Sequence, residues 1–276
     1  MKAYVSVDLE GMPHIVSRDH LAPSRPLFDE ARRIATALVA VAAEELKAQG
    51  FEEVIVADSH GAMVNLDVEE LPEHVELVRG FPRPLSMVAG VEEADAVLFL
   101  GYHAKFGTQG AVFDHTYSGR VLRSVYVNGV EASEFLLNAY VAGHYSKPLI
   151  LVAGDEALLE GDVAHHTPWA VRIPLKRSLS RYSAVSPSMR RIKALLREGV
   201  VEAVKRFRAG EARPLRASEP VTLRVVFQST AYADVASLTP GAKRTSALEV
   251  EYVARNIVEA YRLLELWVLA AYSLER

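Results

Sequence analysis

KAYVSVDLEG, residues 2–11, is the stretch on which the fold turns. Lys2 to Val7 alternates apolar and polar positions, carries β-branched valines, and stops at an acidic pair and a glycine, which reads as a strand running into a functional loop. Asp8 and Glu10 stand two apart, so on an extended chain their side chains point the same way. Two neighbouring carboxylates repel, and a cation relieves the repulsion. The plainer alternative is a solvated loop start that caps the next element.

The same design recurs downstream. Phe28 to Gln49 carries Ile34, Leu38, Val41 and Leu46 at helical spacing, with Gly50 as the stop. Val54 to Ala57 then forms a second strand that ends in Asp58-Ser59-His60-Gly61. Ala96 to Leu100 forms a third, ending in Gly101-Tyr102-His103, and Leu149 to Val152 a fourth, ending in Ala153-Gly154-Asp155. Helices fit at Ser133 to Ala142 and after Glu156. Strands alternating with helices imply βαβ units: an α/β fold layered around a mainly parallel sheet, with ligands beyond the carboxyl ends of the strands.

A smaller C-terminal α+β part is expected at residues 186–276, apart from a metal-binding α/β catalytic domain at residues 1–185. It holds a basic amphipathic helix from Ser188 to Arg208, a flexible connection from Gly210 to Pro220, an exposed strand from Val221 to Gln228 and a mostly helical stretch from Ser246 to Leu274. This part is a subdomain or an oligomerisation surface.

Composition excludes several chemistries. In 276 residues there is no cysteine, so zinc-thiolate sites, iron-sulfur clusters, disulfides and thiol nucleophiles are ruled out and any metal is held by His, Asp and Glu. A net charge of -4 provides no basic field for nucleic acid. The apolar stretch Leu263 to Leu274 contains Glu265 and falls short of the roughly 20 residues that span a bilayer. The N-terminus turns acidic too soon for a signal peptide, so a cytoplasmic protein is expected.

Several strand ends thus offer a His or a carboxylate: Asp8, Glu10, His60 and His103, joined by Glu134 in the first turn behind Ser133 and by His115 in the loop between. Each has an ordinary reading alone, as an exposed loop histidine or a helix-dipole partner. Their convergence matches what a cysteine-free zinc or manganese site needs, and such a set can hold two ions and activate water for hydrolysis. No glycine-rich phosphate loop is present, and His165-His166 reads as surface.

Taken together, Ser6-Val7-Asp8-Leu9-Glu10-Gly11, Asp58-Ser59-His60, Ser86-Met87-Val88-Ala89-Gly90, Leu98-Phe99-Leu100-Gly101-Tyr102-His103-Ala104, Leu137-Asn138-Ala139-Tyr140-Val141-Ala142-Gly143 and Val152-Ala153-Gly154-Asp155 resemble the DppA-type D-aminopeptidases, zinc peptidases associated with bacterial dipeptide-transport operons. The resemblance implies two Zn2+ per subunit, with Mn2+ as a substitute, held by Asp8, Glu10, His60, His103 and Glu134. It also implies a catalytic role for His115, a homodecamer, and as substrate a short peptide with an N-terminal D-amino acid such as D-Ala-D-Ala. Met12-Pro13-His14, the loop from Lys105 to Asp114 and the turn before Glu134 depart from the family's form. Two rival readings remain: a two-metal phosphoesterase using Lys105 and Arg120, and a non-catalytic metal-binding protein on the same fold.

Overall fold

In the computed structural model, which describes residues 1–275, two sheets form the frame. The larger comprises β1 (Lys2–Val7), β2 (Glu53–Asp58), β3 (Val75–Val78), β4 (Ala96–Tyr102), β7 (Leu149–Asp155), β8 (Val171–Ser180) and β9 (Ser183–Val185). Its order is β3-β2-β1-β4-β7-β8-β9, parallel throughout except for the final β8-β9 hairpin. The smaller sheet is antiparallel and contains β5 (Leu122–Val127), β6 (Val130–Glu131), β10 (Val221–Phe227), β11 (Lys243–Arg244) and β12 (Glu249–Ala254), in the order β11-β12-β10-β5-β6. The α/β class and the mainly parallel sheet are as the sequence implied.

The central strands β4 (AVLFLGY) and β7 (LILVAGD) are buried along their whole length, as continuous apolar runs must be in a sheet covered on both faces. Alternation divides the side chains of β1 and β4 between two cores. Ala3, Val5, Val7, Leu98 and Leu100 face α1 (Phe28–Ala48) and α5 (Met189–Arg208). Tyr4, Val97 and Phe99 face α2 (Glu134–His144), α7 (Ile257–Tyr272) and the second sheet. Short turns α3 (Glu156–Leu158) and α4 (Ala164–His166) bracket a π turn after β7, and α6 (Thr230–Ala236) packs against α7. No helix among the described residues is long and apolar enough to cross a membrane.

The sheets do not divide at residue 185. Strand β5 reaches forward to pair with β10, and α5 returns to the large sheet, because its buried face (Ile192, Leu196, Val200, Val204) completes the core that α1 begins. The stretch expected to be mostly helical from Ser246 opens instead as strand β12. Val250 and Ala254 turn inward against β10, and α7 begins only after Asn256, whose side chain caps Glu259 N at 3.0 Å. Val221–Phe227 is the middle strand of its sheet rather than an exposed one. The segment expected to be a flexible connection is tied down: Asn128 Nδ2 donates to Ser218 O at 2.8 Å and Arg216 to Ser146 Oγ at 2.6 Å.

Strand order reverses at β1, whose neighbours are β2 on one side and β4 on the other, so a crevice opens beyond their carboxyl ends. There the backbones come unusually close. Asp8 N donates to Leu100 O at 2.9 Å and Gly11 N to Gly101 O at 2.7 Å. A Cβ on Gly11 or Gly154 would overlap the Tyr102 carbonyl, and one on Gly101, whose φ is +76°, would overlap the Asp8 carbonyl. Gly101→Ala should therefore lower the unfolding free energy by roughly 2–4 kcal/mol, combining left-handed backbone strain with overpacking. A urea midpoint equal to the unmodified protein's would refute this close-approach account.

Candidate metal centre

All six residues singled out in the sequence converge at this crevice. Asp8 and Glu10 follow β1, His60 follows β2, His103 follows β4, His115 lies in the loop before β5, and Glu134 opens α2. Ser133 caps that helix through Leu136 N at 3.3 Å, which aims the first-turn Glu134 into the crevice. Asp8, Glu10, His60, His103 and Glu134 are all buried, and the His115 side chain is 18% exposed.

Asp8 occupies the middle. Its Oδ1 lies 3.4 Å from His60 Nδ1 and its Oδ2 3.5 Å from His103 Nε2. Glu10 Oε2 closes on His60 Nδ1 at 2.7 Å, while Glu134 approaches His103 Nε2 at 3.6 Å and His115 Nε2 at 3.5 Å. The His103 and His115 rings stack with centroids 4.4 Å apart. Two groupings present one atom per residue within 4.8 Å of each other: Asp8, Glu10 and His103, and His103, His115 and Glu134. His115, expected to be catalytic rather than a ligand, thus stands among groups able to hold a metal.

Backbone carbonyls set the protonation of every ring. His60 Nε2 donates to Leu21 O at 2.9 Å, His103 Nδ1 to Ala104 O at 3.0 Å and His115 Nδ1 to Phe113 O at 2.7 Å. A carbonyl only accepts, so those nitrogens carry the hydrogens and the opposite nitrogens turn their lone pairs toward the carboxylates. Lone pairs facing carboxylate oxygens at these distances need a cation between them, either a proton or a metal ion. Among the described residues, Asp8 Oδ2, Glu10 Oε2 and His103 Nε2 are buried without any hydrogen-bond partner. Donor atoms held about 2.0–2.1 Å from a tetrahedral zinc ion are roughly 3.3–3.4 Å apart, close to most of the spacings between these groups. Nitrogen and carboxylate donors without sulfur suit zinc or manganese.

With no metal, the charges fall to protons. Burial, reinforced by the Glu10 carboxylate, pushes Asp8 up to about 8. Burial acts to lower His103, but Glu134 and Asp8 outweigh it and raise the group to about 10. His60 is likewise held well above its usual range against burial, by Glu10 and Asp8, and its charge keeps Glu10 well below the ordinary carboxylate range despite burial. His115 alone of the three is lowered, by burial and then by the neighbouring His103.

Beneath these groups lies a layer that residue-by-residue sequence reading left without a role, although most of it sits inside the quoted blocks. Ser6 Oγ bonds Tyr102 Oη at 2.7 Å, Asn138 Nδ2 donates to Tyr102 Oη at 2.9 Å, and Tyr261 Oη donates to Asn138 Oδ1 at 2.6 Å. The buried Lys176 ammonium donates to the Glu10 and Ile15 carbonyls and pins the loop after β1; burial lowers its pKa to about 8. No periodicity flags a lysine of this kind. Asp155 and Asp114 turn away from the crevice: Asp155 accepts from Ser178 Oγ at 2.6 Å, and Asp114 pairs with Arg181.

Asp58 also faces away. It accepts from Asn65 N at 2.5 Å, Asn65 Nδ2 at 2.6 Å and Leu66 N at 2.8 Å, which folds the loop that carries His60. Asp58→Ala leaves the buried Asn65 and Leu66 N–H groups unpaired, while Asn65 Nδ2 keeps its bond to His60 O, and should cost about 2–4 kcal/mol of stability. Amide exchange reads the effect locally: Asn65 and Leu66 lose protection in the variant, and retained protection there would disprove the anchoring role.

The chain is similar to known proteins over nearly its whole length. The D-aminopeptidase of Bacillus subtilis (strain 168) is 31% identical over 266 residues, spanning 96% of this chain and 95% of that protein. A solved structure, the Zn-dependent D-aminopeptidase DppA from Bacillus subtilis, described as a self-compartmentalizing protease, superposes with a TM-score of 0.93 at 31% identity and covers 99% of this chain and 98% of its own. The family model for D-aminopeptidases, peptidase family M55, matches residues 1–266. The chain therefore belongs to the peptidase M55 family of D-aminopeptidases.

Proposed function

We propose that this chain is a binuclear zinc aminopeptidase that hydrolyses short peptides with an N-terminal D-amino acid, such as D-Ala-D-Ala. Asp8, Glu10, His60, His103 and Glu134 are its metal ligands, and His115 is its proton carrier. The observation that carries the reading is the set of three histidines whose outer nitrogens are spent on carbonyls while their inner nitrogens converge on buried carboxylates. The zinc dependence of the Bacillus subtilis neighbour favours zinc over manganese.

The chemistry that two such ions supply when bound is Lewis-acid: polarisation of the scissile carbonyl and a lowered pKa for the attacking water. Asp8 bridges the two halves of the site, since one oxygen faces His60 and the other His103. Glu10 with His60, and Glu134 with His103, close the two ends. His115 stays neutral because burial lowers its pKa, so its Nε2 accepts a proton from the attacking water and returns it to the departing amine. Its Nδ1–H···O bond to Phe113 keeps that nitrogen aimed inward.

A phosphoesterase would need free cations at the site. Lys105 pairs with Asp162 at 2.7 Å and Arg120 with Glu275 at 2.9 Å, so both are already engaged. A non-catalytic protein on this fold has no need of a full ligand set, and here every position is filled. By the same reading the protein is a cytoplasmic homo-oligomer, a decamer by family resemblance, and the self-compartmentalizing neighbour supports an enclosed assembly.

Asp8→Ala should lose both zinc and hydrolysis of D-Ala-D-Ala, measured by metal analysis and amine release; full zinc content in that variant would overturn the ligand assignment. Proton linkage offers a second check. At pH 7 the metal-free Asp8, His60 and His103 all hold protons that zinc must displace, so binding should release roughly three protons. Apparent affinity then falls as pH drops and rises toward pH 10. Calorimetry in two buffers of different ionisation enthalpy measures the release, and identical heats in both would contradict it.

A further inference from the structure

The crevice opens into a cavity of about 490 Å³. Asp8, Glu10, His60, His115 and Glu134 form one side of it. The rest of its lining includes Met63, Phe81 and Met87, and on α7 Glu265, Val268 and Tyr272. Most polar groups on that remaining lining have partners. Arg120 pairs with Glu275, Ser118 Oγ bonds Tyr272 Oη at 2.7 Å, and Ser59 Oγ donates to Met87 O at 2.9 Å.

Two groups are exceptions, Tyr117 Oη and Glu265 Oε1, and of these only Glu265 is a carboxylate. It is the only charged residue from Leu263 to Ser273, the apolar second half of α7. Among the described residues its Oε1 is shut off from solvent and accepts no hydrogen bond, while the half-buried side chain as a whole lines the cavity. The nearest cations do not answer it. Arg83 spends its guanidinium on the carbonyls of Ser86, Val78 and Asp58 at 2.8–3.0 Å, and Arg262 points to solvent. A half-dry carboxylate without a donor is costly, and a ligand that brings a cation recovers the cost. Burial, against the pull of Arg83, raises the Glu265 pKa, as expected of a carboxylate waiting for such a partner. An anionic ligand group would be repelled from this wall.

The geometry points to Glu265 as the group that receives a substrate ammonium in this cavity. The assignment rests on the aminopeptidase reading of the site and adds its specificity. An ammonium can come from two sources, the free α-amine that every aminopeptidase substrate carries or the side chain of a basic residue. Either docks against the carboxylate while the carbon chain of the substrate lies on Met63, Phe81 and Val268. Glu265 is a specificity residue here, since the proposed metal and proton chemistry is assigned to other residues of the cavity lining.

The test compares the zinc-loaded protein with its Glu265→Gln variant on D-Ala-D-Ala, D-Lys-D-Ala and D-norleucyl-D-Ala. Loss of a charge-assisted hydrogen bond lowers kcat/KM by about tenfold or more. If the loss is confined to D-Lys-D-Ala, Glu265 reads the side chain; if it is equal on all three and carried by KM, Glu265 reads the α-amine. Values within about twofold of the parent on every substrate, with zinc content and melting temperature unchanged, overturn the proposal. A binding arm does not depend on hydrolysis: n-butylammonium should bind the parent at least about tenfold more tightly than it binds E265Q, while n-butanol binds both alike. Glu265→Asp keeps the charge and should fall between the two. Should the parent cleave no D-aminoacyl peptide, the proposed activity fails, and the butylammonium comparison alone then decides the role of Glu265.

Discussion

Mutual repulsion among Asp8, Glu10 and Glu134 is the constraint around which the rest of the molecule is organised. Three carboxylates share one dry crevice, and left alone they would force one another apart or take up protons. His60 and His103 sit between them, and the protein allows neither ring to rotate, because each outer nitrogen is fixed by a carbonyl. Such an arrangement is costly for an empty fold, and a bound cation converts the cost into affinity. The strong pulls on Asp8, His60 and His103 are the same repulsion expressed in protons.

Holding the carboxylates that close demands a scaffold whose strand ends nearly touch. Gly11 after β1, and Gly101 and Gly154 near the ends of β4 and β7, allow these backbones to meet where any Cβ would collide with a neighbouring carbonyl. Below them, the relay from Ser6 through Tyr102 and Asn138 to Tyr261 joins the large sheet to α2 and α7. Helix α7 therefore belongs to the site although it lies at the far end of the chain, and it brings Glu265 to the cavity wall.

Much of this was legible beforehand. Strands β1, β2, β4 and β7 announce themselves by apolar runs that stop at a polar cluster, and five of the six crevice residues follow from those stops and from the helix start at Ser133, whereas His115, in the loop before β5, draws its role from the family resemblance. Strands β3, β5, β6, β8 and β9 carry no comparable signal. Their residues are partly exposed and owe their conformation to pairing with distant strands. Strand β12 was masked for a related reason: Glu249 to Ala254 runs directly into a long apolar helix, and only pairing with β10 decides between the two periods.

The sequence by itself determined the class of fold, the chemistry open to it and the set of groups that could carry that chemistry. Local periodicity writes strands and helices, and the absence of cysteine leaves only His, Asp and Glu as metal donors. The tertiary structure alone decided that Asp8 divides its two oxygens between His60 and His103, that Lys176 pins the Glu10 loop from beneath, and that Glu265 faces the cavity without a partner. These are relations between residues 50 to 250 positions apart in the sequence. They arise from which strands pair and which helix covers them, quantities that depend on long-range packing and that no local pattern encodes.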